Sequence, residues 1–311
     1  MKKPDFTKVF FLGIIIILFY AIILFAFDIE KIIFTINQIN PFYYIMIFPI
    51  TGLTLIVQGW RYQLTLRKLN IVLSFKDSFL IYAAGLSMLL TPGGTGSLVK
   101  SYFLKIKTGK SISSTSPIII YEKWLELIAI ITIIGIFLIP VSIFESQIIF
   151  IIGSFLSGFI FFAFKNSMGI NLLNKTFKKF SFLNGLTLNV DEFQSTTKIL
   201  CRPKTLFQLL SITFLSKFLP MISVFLVFKL FNNDIDIFTS SLIYFSSLVA
   251  GLLTFIPGGM IITEAGLLGL SLKFGFDLST ATVLVILIRL LTFWFPVFIG
   301  FFSLKFISMK K

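Results

Sequence analysis

Six ionisable residues lie inside long apolar stretches of the sequence, where a charge is unfavourable. They are Lys123, Lys217, Arg289, Glu122, Glu126 and Glu264. A charged side chain at the centre of a membrane helix costs about 2.5–3.5 kcal/mol on insertion scales, so a charge without a role is not expected there. Glu122 and Glu126 are four residues apart and share one helix face, where they can pair with a cation from another segment. Three cations against three carboxylates predict a charge-balanced polar cavity.

Arg289 is the strongest candidate of the six. It lies about ten residues, or about 15 Å, inside its apolar run, which is too deep for its side chain to reach either membrane interface. Lys217 is the weakest candidate, because Pro220 would open its helix towards water. The alternative for all six residues is an ion-pair network that only holds helices together.

Two further apolar stretches are interrupted in their middles, at Pro92-Gly93-Gly94 and at Pro257-Gly258-Gly259. Proline and glycine both disfavour a continuous helix. Broken backbone at membrane depth is tolerated only where it is buried in protein or lines a wet cavity, so we expect re-entrant helical hairpins over 78–104 and 239–274. A half-helix that starts at such a turn presents free N–H groups. The amides of Gly93, Gly94, Gly258 and Gly259 are therefore candidate phosphate-binding positions.

The composition identifies the kind of protein that carries these residues. Of 311 residues, 57% are apolar and only 13% are charged, so there is too little polar surface to cover a water-soluble fold. Six apolar runs are long enough to cross a bilayer, and they lie at 9–27, 41–60, 117–139, 146–164, 206–231 and 279–304. The chain has no histidine and one cysteine. We therefore predict no catalytic triad, metal site, cofactor or disulfide framework.

The distribution of basic residues predicts the orientation. The net charge is +14, but the lysines and arginines occupy short loops between apolar runs, so we predict no nucleic-acid partner. With the N-terminus in the cytoplasm and two hairpins, most basic residues fall on the cytoplasmic side, in segments 1–8, 61–77, 100–110, 165–205 and 305–311. The external loops instead hold the acidic residues Asp28, Glu30, Glu145, Asp234, Asp236 and Asp277. The positive-inside rule then predicts a multi-pass cell-membrane protein with both termini in the cytoplasm.

The two interrupted stretches look like copies of one plan. Pro92 precedes Glu122 by 30 residues, and Pro257 precedes Arg289 by 32. We expect an all-α polytopic membrane protein, with a single domain over 1–311 that has six transmembrane helices and two oppositely oriented hairpins. The first repeat covers about 41–139 and the second about 206–304, with a basic cytoplasmic loop at 165–205. Such an inverted repeat is typical of transporters whose site lies near the midplane.

The order of these residues resembles one family. It is the flippase-like membrane domain of lysylphosphatidylglycerol synthetases and their stand-alone homologues. The similar residues are Pro92-Gly93-Gly94 with Lys100, Glu122-Lys123 with Glu126, Pro257-Gly258-Gly259 with Glu264, and finally Arg289. The resemblance covers nearly the whole chain, and its most specific part is IPGGMIITEAG at 256–266. It implies a role in moving anionic or lipid-linked amphiphiles between leaflets. Some archaeal relatives are implicated in dolichol-linked glycosylation.

The chain departs from the family pattern at two places. The family usually has Gly-Glu and an arginine after the first turn, where this chain has Gly96-Ser97 and Lys100, and it commonly has aspartate at the position of Glu126. The missing carboxylate at Ser97 puts a shared headgroup specificity in doubt. The aminoacyl-transferase domain of the synthetases is absent from this sequence, so the resemblance does not carry lysyl transfer over.

These observations lead to three hypotheses. In the first, a translocase binds a phosphate headgroup through Lys100, Lys123 and Arg289, while Glu122, Glu126 and Glu264 balance the cations. Its substrate would be an anionic phospholipid or a polyprenyl-linked lipid. In the second, a membrane transferase uses external carboxylates at Asp28, Glu30, Asp234 or Asp236, although short external loops argue against it. In the third, the chain is a non-catalytic partner of a soluble lipid-modifying enzyme. Self-association into a homo-oligomer is compatible with all three.

Overall fold

A computed structural model describes residues 42–91, 97–166, 189–231, 234–254 and 256–309, together with a few isolated positions outside these ranges. The predicted span at 9–27 and the predicted turn at Gly93 and Gly94 lie outside the described residues. Every regular element in the described part is helical. The predicted all-α class is therefore confirmed.

Eleven α-helices are described within these ranges. They are α1 (Phe42–Lys68), α2 (Phe75–Leu86), α3 (Val99–Thr108), α4 (Ile112–Phe137), α5 (Phe144–Lys165), α6 (Val190–Leu200), α7 (Pro203–Lys229), α8 (Ile237–Leu253), α9 (Ile262–Lys273), α10 (Leu278–Arg289) and α11 (Phe295–Met309). Side chains that precede the first turn cap several of them, because the first N–H groups of a helix have no partner within it. These caps include Ser74, Ser111, Asn189, Asp236 and Asp277.

Three of the described helical stretches are both long and apolar enough to cross a membrane. They are α5, α7 and the run from Leu278 to Met309, in which a π-helical turn joins α10 to α11. Helices α1 and α4 are of similar length, with 27 and 26 residues, but they carry charges. Each of the five predicted spans from residue 41 onwards falls on one of these long helices. At the predicted end of the first of these spans, residue 60, the helix does not stop, because α1 continues to Lys68.

The helices break where the prolines and glycines predict. After α2, a 3₁₀ turn covers Ser87–Leu90, and α3 begins only at Val99. Between α8 and α9, Pro257–Gly259 forms a short turn with φ of 61° at Gly258 and 64° at Gly259. Ile261 follows with φ of 71°, which is rare for a β-branched residue. The second break is thus a tight reversal of the backbone.

The two broken segments open at opposite ends of α4. Lys107 near the end of α3 pairs with Asp77 at the start of α2, and α3 leads directly into the first turn of α4. At the other end of α4, Phe137 packs edge-on against Phe238 at the start of α8, with ring centroids 5.0 Å apart. Lys273 at the end of α9 lies 2.8 Å from Glu145, just after α4. At 1.5 Å per residue, α4 separates these ends by about 39 Å.

The breaks themselves meet inside the molecule. The Ser87–Leu90 turn contacts the Pro257–Gly259 turn. Around this contact, Leu90, Met260, Phe293 and Val297 form a buried apolar cluster. Helix α1 packs along α7, and α2 packs along α11. The core therefore joins the two halves of the chain at their interrupted segments.

Candidate functional site

The first group of buried charges surrounds α4. We use "first cluster" for Arg61, Lys100, Glu122, Lys123, Glu126 and Lys217. Helix α4 supplies both carboxylates on one face, four residues apart, as the sequence predicts. Helices α1, α3 and α7 each bring one cation to that face. The expected pairing of these glutamates with cations from other segments is confirmed.

Arg61 is the central cation of the first cluster and is only 1% exposed. One terminal nitrogen donates to Glu126 Oε1 at 2.9 Å and lies 3.8 Å from Glu122 Oε1. The other donates to Thr213 Oγ1 on α7 at 3.2 Å. Arg61 therefore links α1 to both glutamates of α4 and to α7. Sequence reasoning placed Arg61 in a segment between apolar runs, whereas the structure places it inside α1 with its side chain buried.

Lys100 reaches the same cluster from the broken segment. Its ammonium pairs with Glu122 and lies 5.1 Å from the ring centroid of Tyr62 and 5.7 Å from that of Tyr82, within the range of cation–π attraction. Its aliphatic stem crosses α2 at Gly85, where an added Cβ would approach Lys100 Cγ to 2.7 Å. A glycine is thus required at this crossing for the lysine to reach Glu122.

The first cluster is not charge-balanced. Arg61, Lys123 and Lys217 all share Glu126, at distances of 2.9, 3.2 and 3.5 Å, while Lys100 uses Glu122. Four cations therefore face two carboxylates, which leaves a formal surplus of two positive charges. Lys123 is the outer member, with 45% of its side chain exposed, whereas the Lys217 side chain is 12% exposed. Pro220 thus does not leave Lys217 in the open.

The second group of charges is smaller and neutral. We use "second cluster" for Glu264 on α9 and Arg289 on α10. Arg289 Nε donates to Glu264 Oε1 at 2.7 Å, and a terminal nitrogen donates to the carbonyl of Gly258 at 2.9 Å. The guanidinium also lies 4.4 Å from the ring centroid of Phe293. Arg289 therefore fixes α9, the second break and the π-helical turn to one another.

Backbone irregularity surrounds the second cluster. Directly after Arg289, the Phe295 N–H bonds to the Leu290 carbonyl five residues earlier, and Pro296 has no N–H to continue the normal ladder. Such π-turns in long helices are frequent at functional sites. In the Pro-Gly-Gly turn, the Gly259 N–H donates to the Ile256 carbonyl at 2.9 Å, and Gly258 contributes a carbonyl to Arg289. In this conformation the Gly259 N–H and the Gly258 carbonyl are both hydrogen-bonded within the protein.

The two clusters have one construction with the charges exchanged. In the first half of the chain, the helix after the break carries the cation, Lys100, and the next long helix carries the acid, Glu122. In the second half, the helix after the break carries the acid, Glu264, and the next long helix carries the cation, Arg289. The members of the two pairs lie at similar distances after Pro92 and after Pro257 in the sequence.

Comparison with known proteins identifies the family that shares this arrangement. The family model described as the lysylphosphatidylglycerol synthase TM region matches residues 10–300. The chain belongs to this family. It is therefore an integral membrane protein, and the resemblance drawn from its motifs is confirmed.

Two relatives within the family are archaeal. UPF0104 membrane protein MJ1078 of Methanocaldococcus jannaschii is 29% identical over 223 residues, which cover 68% of this chain and 89% of that protein. UPF0104 membrane protein MJ1595 of the same organism is 24% identical and covers 100% of this chain and 98% of its own length. No solved structure matches the chain.

The structure divides the sequence-predicted site residues between the clusters. Lys100, Glu122, Lys123 and Glu126 belong to the first cluster, and Glu264 and Arg289 to the second. The expected balance of three cations against three carboxylates is wrong, because Arg61 and Lys100 join the first cluster. A signal for Arg61 does exist in the sequence: Thr54, Gln58, Arg61 and Thr65 form a polar stripe at helical spacing along α1.

One of the external carboxylates of the transferase hypothesis has a local role in the structure. Asp236 accepts hydrogen bonds from the Thr239 N–H at 2.8 Å and from its hydroxyl at 3.1 Å, and so caps α8. This is the ordinary role of an aspartate before a helix. Asp28 lies outside the described residues.

Proposed function

We propose that the protein is a translocase for a lipid or lipid-linked substrate, and that it binds the phosphate headgroup of that substrate in the buried charged region. One observation carries the proposal. Two broken helical segments open at opposite ends of α4, meet at their breaks, and each joins the next long helix through a buried ion pair. Broken helices of opposite orientation with a site between them are the pattern of inverted-repeat transporters.

Burial supports a role in moving a substrate rather than only in surface binding. Arg61, Glu122, Glu264 and Arg289 are all less than 9% exposed, so these charges are closed off in this conformation. A headgroup reaches them only if the two halves move relative to each other. In the translocation cycle, the ion pairs open as one half rocks against the other and close again after release.

Charge asymmetry supports an orientation with hairpin α2–α3 on the cytoplasmic side. The end of the bundle where α4 begins is rich in lysine and arginine, with Arg67, Lys68, Lys76, Lys105, Lys107 and Lys110. The opposite end carries Glu145, Asp234, Asp236 and Asp277. Positive loops are retained in the cytoplasm. We therefore propose a cell-membrane protein in which α2–α3 opens to the cytoplasm and α8–α9 to the outside.

The experiment that tests this function uses proteoliposomes. Vesicles that contain the full chain and either NBD-labelled phosphatidylglycerol or NBD-labelled phosphatidic acid are treated with dithionite, which bleaches only the outer leaflet. Transport exposes inner-leaflet label, and we expect faster and more complete bleaching than in protein-free vesicles. Mass spectrometry of lipids that co-purify with the protein guides the choice of further labelled lipids.

Arg289→Gln is the variant that decides the role of the charged region. We expect it to insert and fold but to lose transport, because Gly258 and Glu264 lose their shared cation. The matched control is Lys273→Gln, which removes a cation from an exposed surface pair with Glu145 and should transport normally. Normal transport by a well-folded Arg289→Gln protein would contradict the proposed role of the buried charges in transport. Bulk-like lipid profiles in every variant would instead favour the role of a non-catalytic partner.

A further inference from the structure

The first cluster holds buried hydrogen-bond donors that the described residues leave without an acceptor. Arg61 Nε and the Tyr62 hydroxyl have no hydrogen-bond partner there, although both residues are only 1% exposed. A buried donor without an acceptor is unfavourable and is uncommon in native structures. Arg61 and Tyr62 are adjacent on α1. Arg61 lies 3.8 Å from Glu122, and the Tyr62 ring lies 5.1 Å from the ammonium of Lys100, which pairs with the same glutamate.

The net charge of the first cluster also favours an anion as its ligand. The cluster has a formal surplus of two positive charges, and Glu126 alone serves three cations. Lys123 is 45% exposed, so the other three cations alone leave a surplus of one positive charge inside the protein. Surplus charge in a membrane interior favours a counter-anion. Glu122 Oε1 also lacks a hydrogen bond in the described part, but it is a single acceptor beside two donors. The donors and the charge are therefore both matched by an oxyanion.

We propose that the first cluster binds a doubly charged phosphate, which as a lipid headgroup means a phosphomonoester rather than a phosphodiester. Arg61, Lys100 and Lys217 supply the charge, Arg61 Nε and the Tyr62 hydroxyl donate to the phosphate oxygens, and Lys123 lies at the rim. The second cluster is neutral and takes no anion. This inference rests on the proposed function for the substrate class, and it adds two residues, Arg61 and Tyr62, that determine specificity.

Binding by the full-length protein tests the inference through the charge of the lipid. Native mass spectrometry from detergent micelles compares phosphatidic acid, a monoester, with phosphatidylglycerol, a diester, at matched acyl chains. A phosphate monoester has its second pKa near 6, so it is a dianion at pH 8 and mostly a monoanion at pH 5.5. We expect phosphatidic acid to bind about tenfold more tightly at pH 8, and this preference to shrink towards equality at pH 5.5.

Two variants test whether the preference for the phosphate monoester arises from the first cluster. Arg61→Gln should remove the preference for the monoester, and Tyr62→Phe, which keeps the ring beside Lys100 and deletes only the hydroxyl, should reduce it several-fold. Lys273→Gln should keep it in full. Equal binding of the two lipids at pH 8, or a preference that survives in folded Arg61→Gln and Tyr62→Phe proteins, overturns the inference.

A third arm identifies the source of the phosphate. Inorganic phosphate is added as a competitor at pH 8. If millimolar phosphate displaces phosphatidic acid, the same site takes the anion from water. If it does not, the lipid headgroup is the ligand and its chains contribute to binding. The anion site stands in both cases. Monoester preference without transport in proteoliposomes would contradict only the proposed function, and transport without monoester preference would contradict only this inference.

Discussion

The first and second clusters make the same kind of connection between helices, but with different charges and hydrogen bonds. Each joins a short helix that follows a break to the next long helix. In the second cluster, Arg289 is satisfied by Glu264, by the Gly258 carbonyl and by the face of Phe293. In the first, three cations share Glu126, and donors on Arg61 and Tyr62 find no acceptor among the described residues.

The two clusters therefore differ in charge balance and in whether the hydrogen-bond donors of their cations have acceptors among the described residues. The second cluster is a neutral pair whose arginine also bonds to the Gly258 carbonyl, so it is suited to hold the turn between Gly258 and Ile261 in place. A positive cluster with surplus donors is suited to accept an oxyanion. In our proposal the two clusters therefore have different roles: the second holds the break in place, and the first binds the substrate. The following substitutions test that division.

Glu126→Gln should have the largest effect on stability, because it leaves three cations without their shared carboxylate. Removing one partner of a buried ion pair costs about 3–5 kcal/mol, and we expect the upper end of that range here. Thermal unfolding in detergent measures the loss. The control is Glu145→Gln, whose pair with Lys273 is exposed and should contribute less than about 1 kcal/mol. Equal melting temperatures for the two variants would contradict a shared counter-ion.

A double-mutant cycle at Glu264 and Arg289 should show the next largest effect. Each single change to glutamine should lower the free energy of unfolding by about 3 kcal/mol, and the double variant should regain much of that loss, because a neutral pair is replaced by another neutral pair. The same cycle at Lys100 and Glu122 should regain less, since Arg61 also depends on Glu122. Equal recovery in the two cycles would remove the distinction between the clusters.

The sequence predicts more of the second cluster than of the first. Both of its charges stand in apolar runs, and the Pro-Gly-Gly turn beside them marks the break directly. Arg61 is missed because the apolar run of α1 ends at residue 60, whereas the helix does not. Only the polar stripe from Thr54 to Thr65 indicates that the same helix face stays buried past that boundary.

Tertiary packing accounts for what sequence periodicity cannot supply. The surplus charge of the first cluster arises because α1, α3 and α7 converge on α4. A local sequence pattern does not predict which helices pack against one another. Lys123 illustrates the same limit: its neighbour Glu122 is buried, but Lys123 itself points outward. The turn at Pro257–Gly259, the long helices from residue 42 onwards and the shared face of Glu122 and Glu126 are local properties, and within the described residues these predictions are confirmed.

Gly85→Ala should have an intermediate effect, confined to the first cluster. An alanine Cβ would meet the stem of Lys100 at 2.7 Å, and overpacking of this kind costs about 1–3 kcal/mol. Lys100 would also be displaced from Glu122, so we expect weaker binding of phosphatidic acid. The matched control is Gly269→Ala on α9, where an added Cβ meets nothing within 4 Å and better helix propensity should stabilise by about 0.5–1 kcal/mol. Melting temperatures that move in the same direction would contradict the tight crossing at Gly85.

The smallest effect that we expect concerns the residues that cap the first turns of α4 and α10, the long helices of the first and second clusters. Helix α4 begins at the neutral cap Ser111, whereas α10, which carries Arg289, begins at Asp277. Hydrogen bonds from the Ser279 hydroxyl and from Thr280 lower the pKa of the Asp277 carboxyl to about 2. A lowered pKa contributes stability above the unfolded value near 4, and that contribution is lost as the pH falls towards 2.

Asp277→Asn keeps a good cap but removes its charge, so it isolates this pH-dependent part. Because Asp277 is exposed, we expect less than about 1 kcal/mol of destabilisation above pH 4, which becomes much smaller at pH 2 and disappears below it. Melting temperatures of wild type and variant across that range measure it. Ser111→Ala should lower stability by about 1 kcal/mol with no carboxylate of its own to titrate. A gap between wild type and Asp277→Asn that is unchanged at pH 2 would mean that the charge of Asp277 does not stabilise the start of α10.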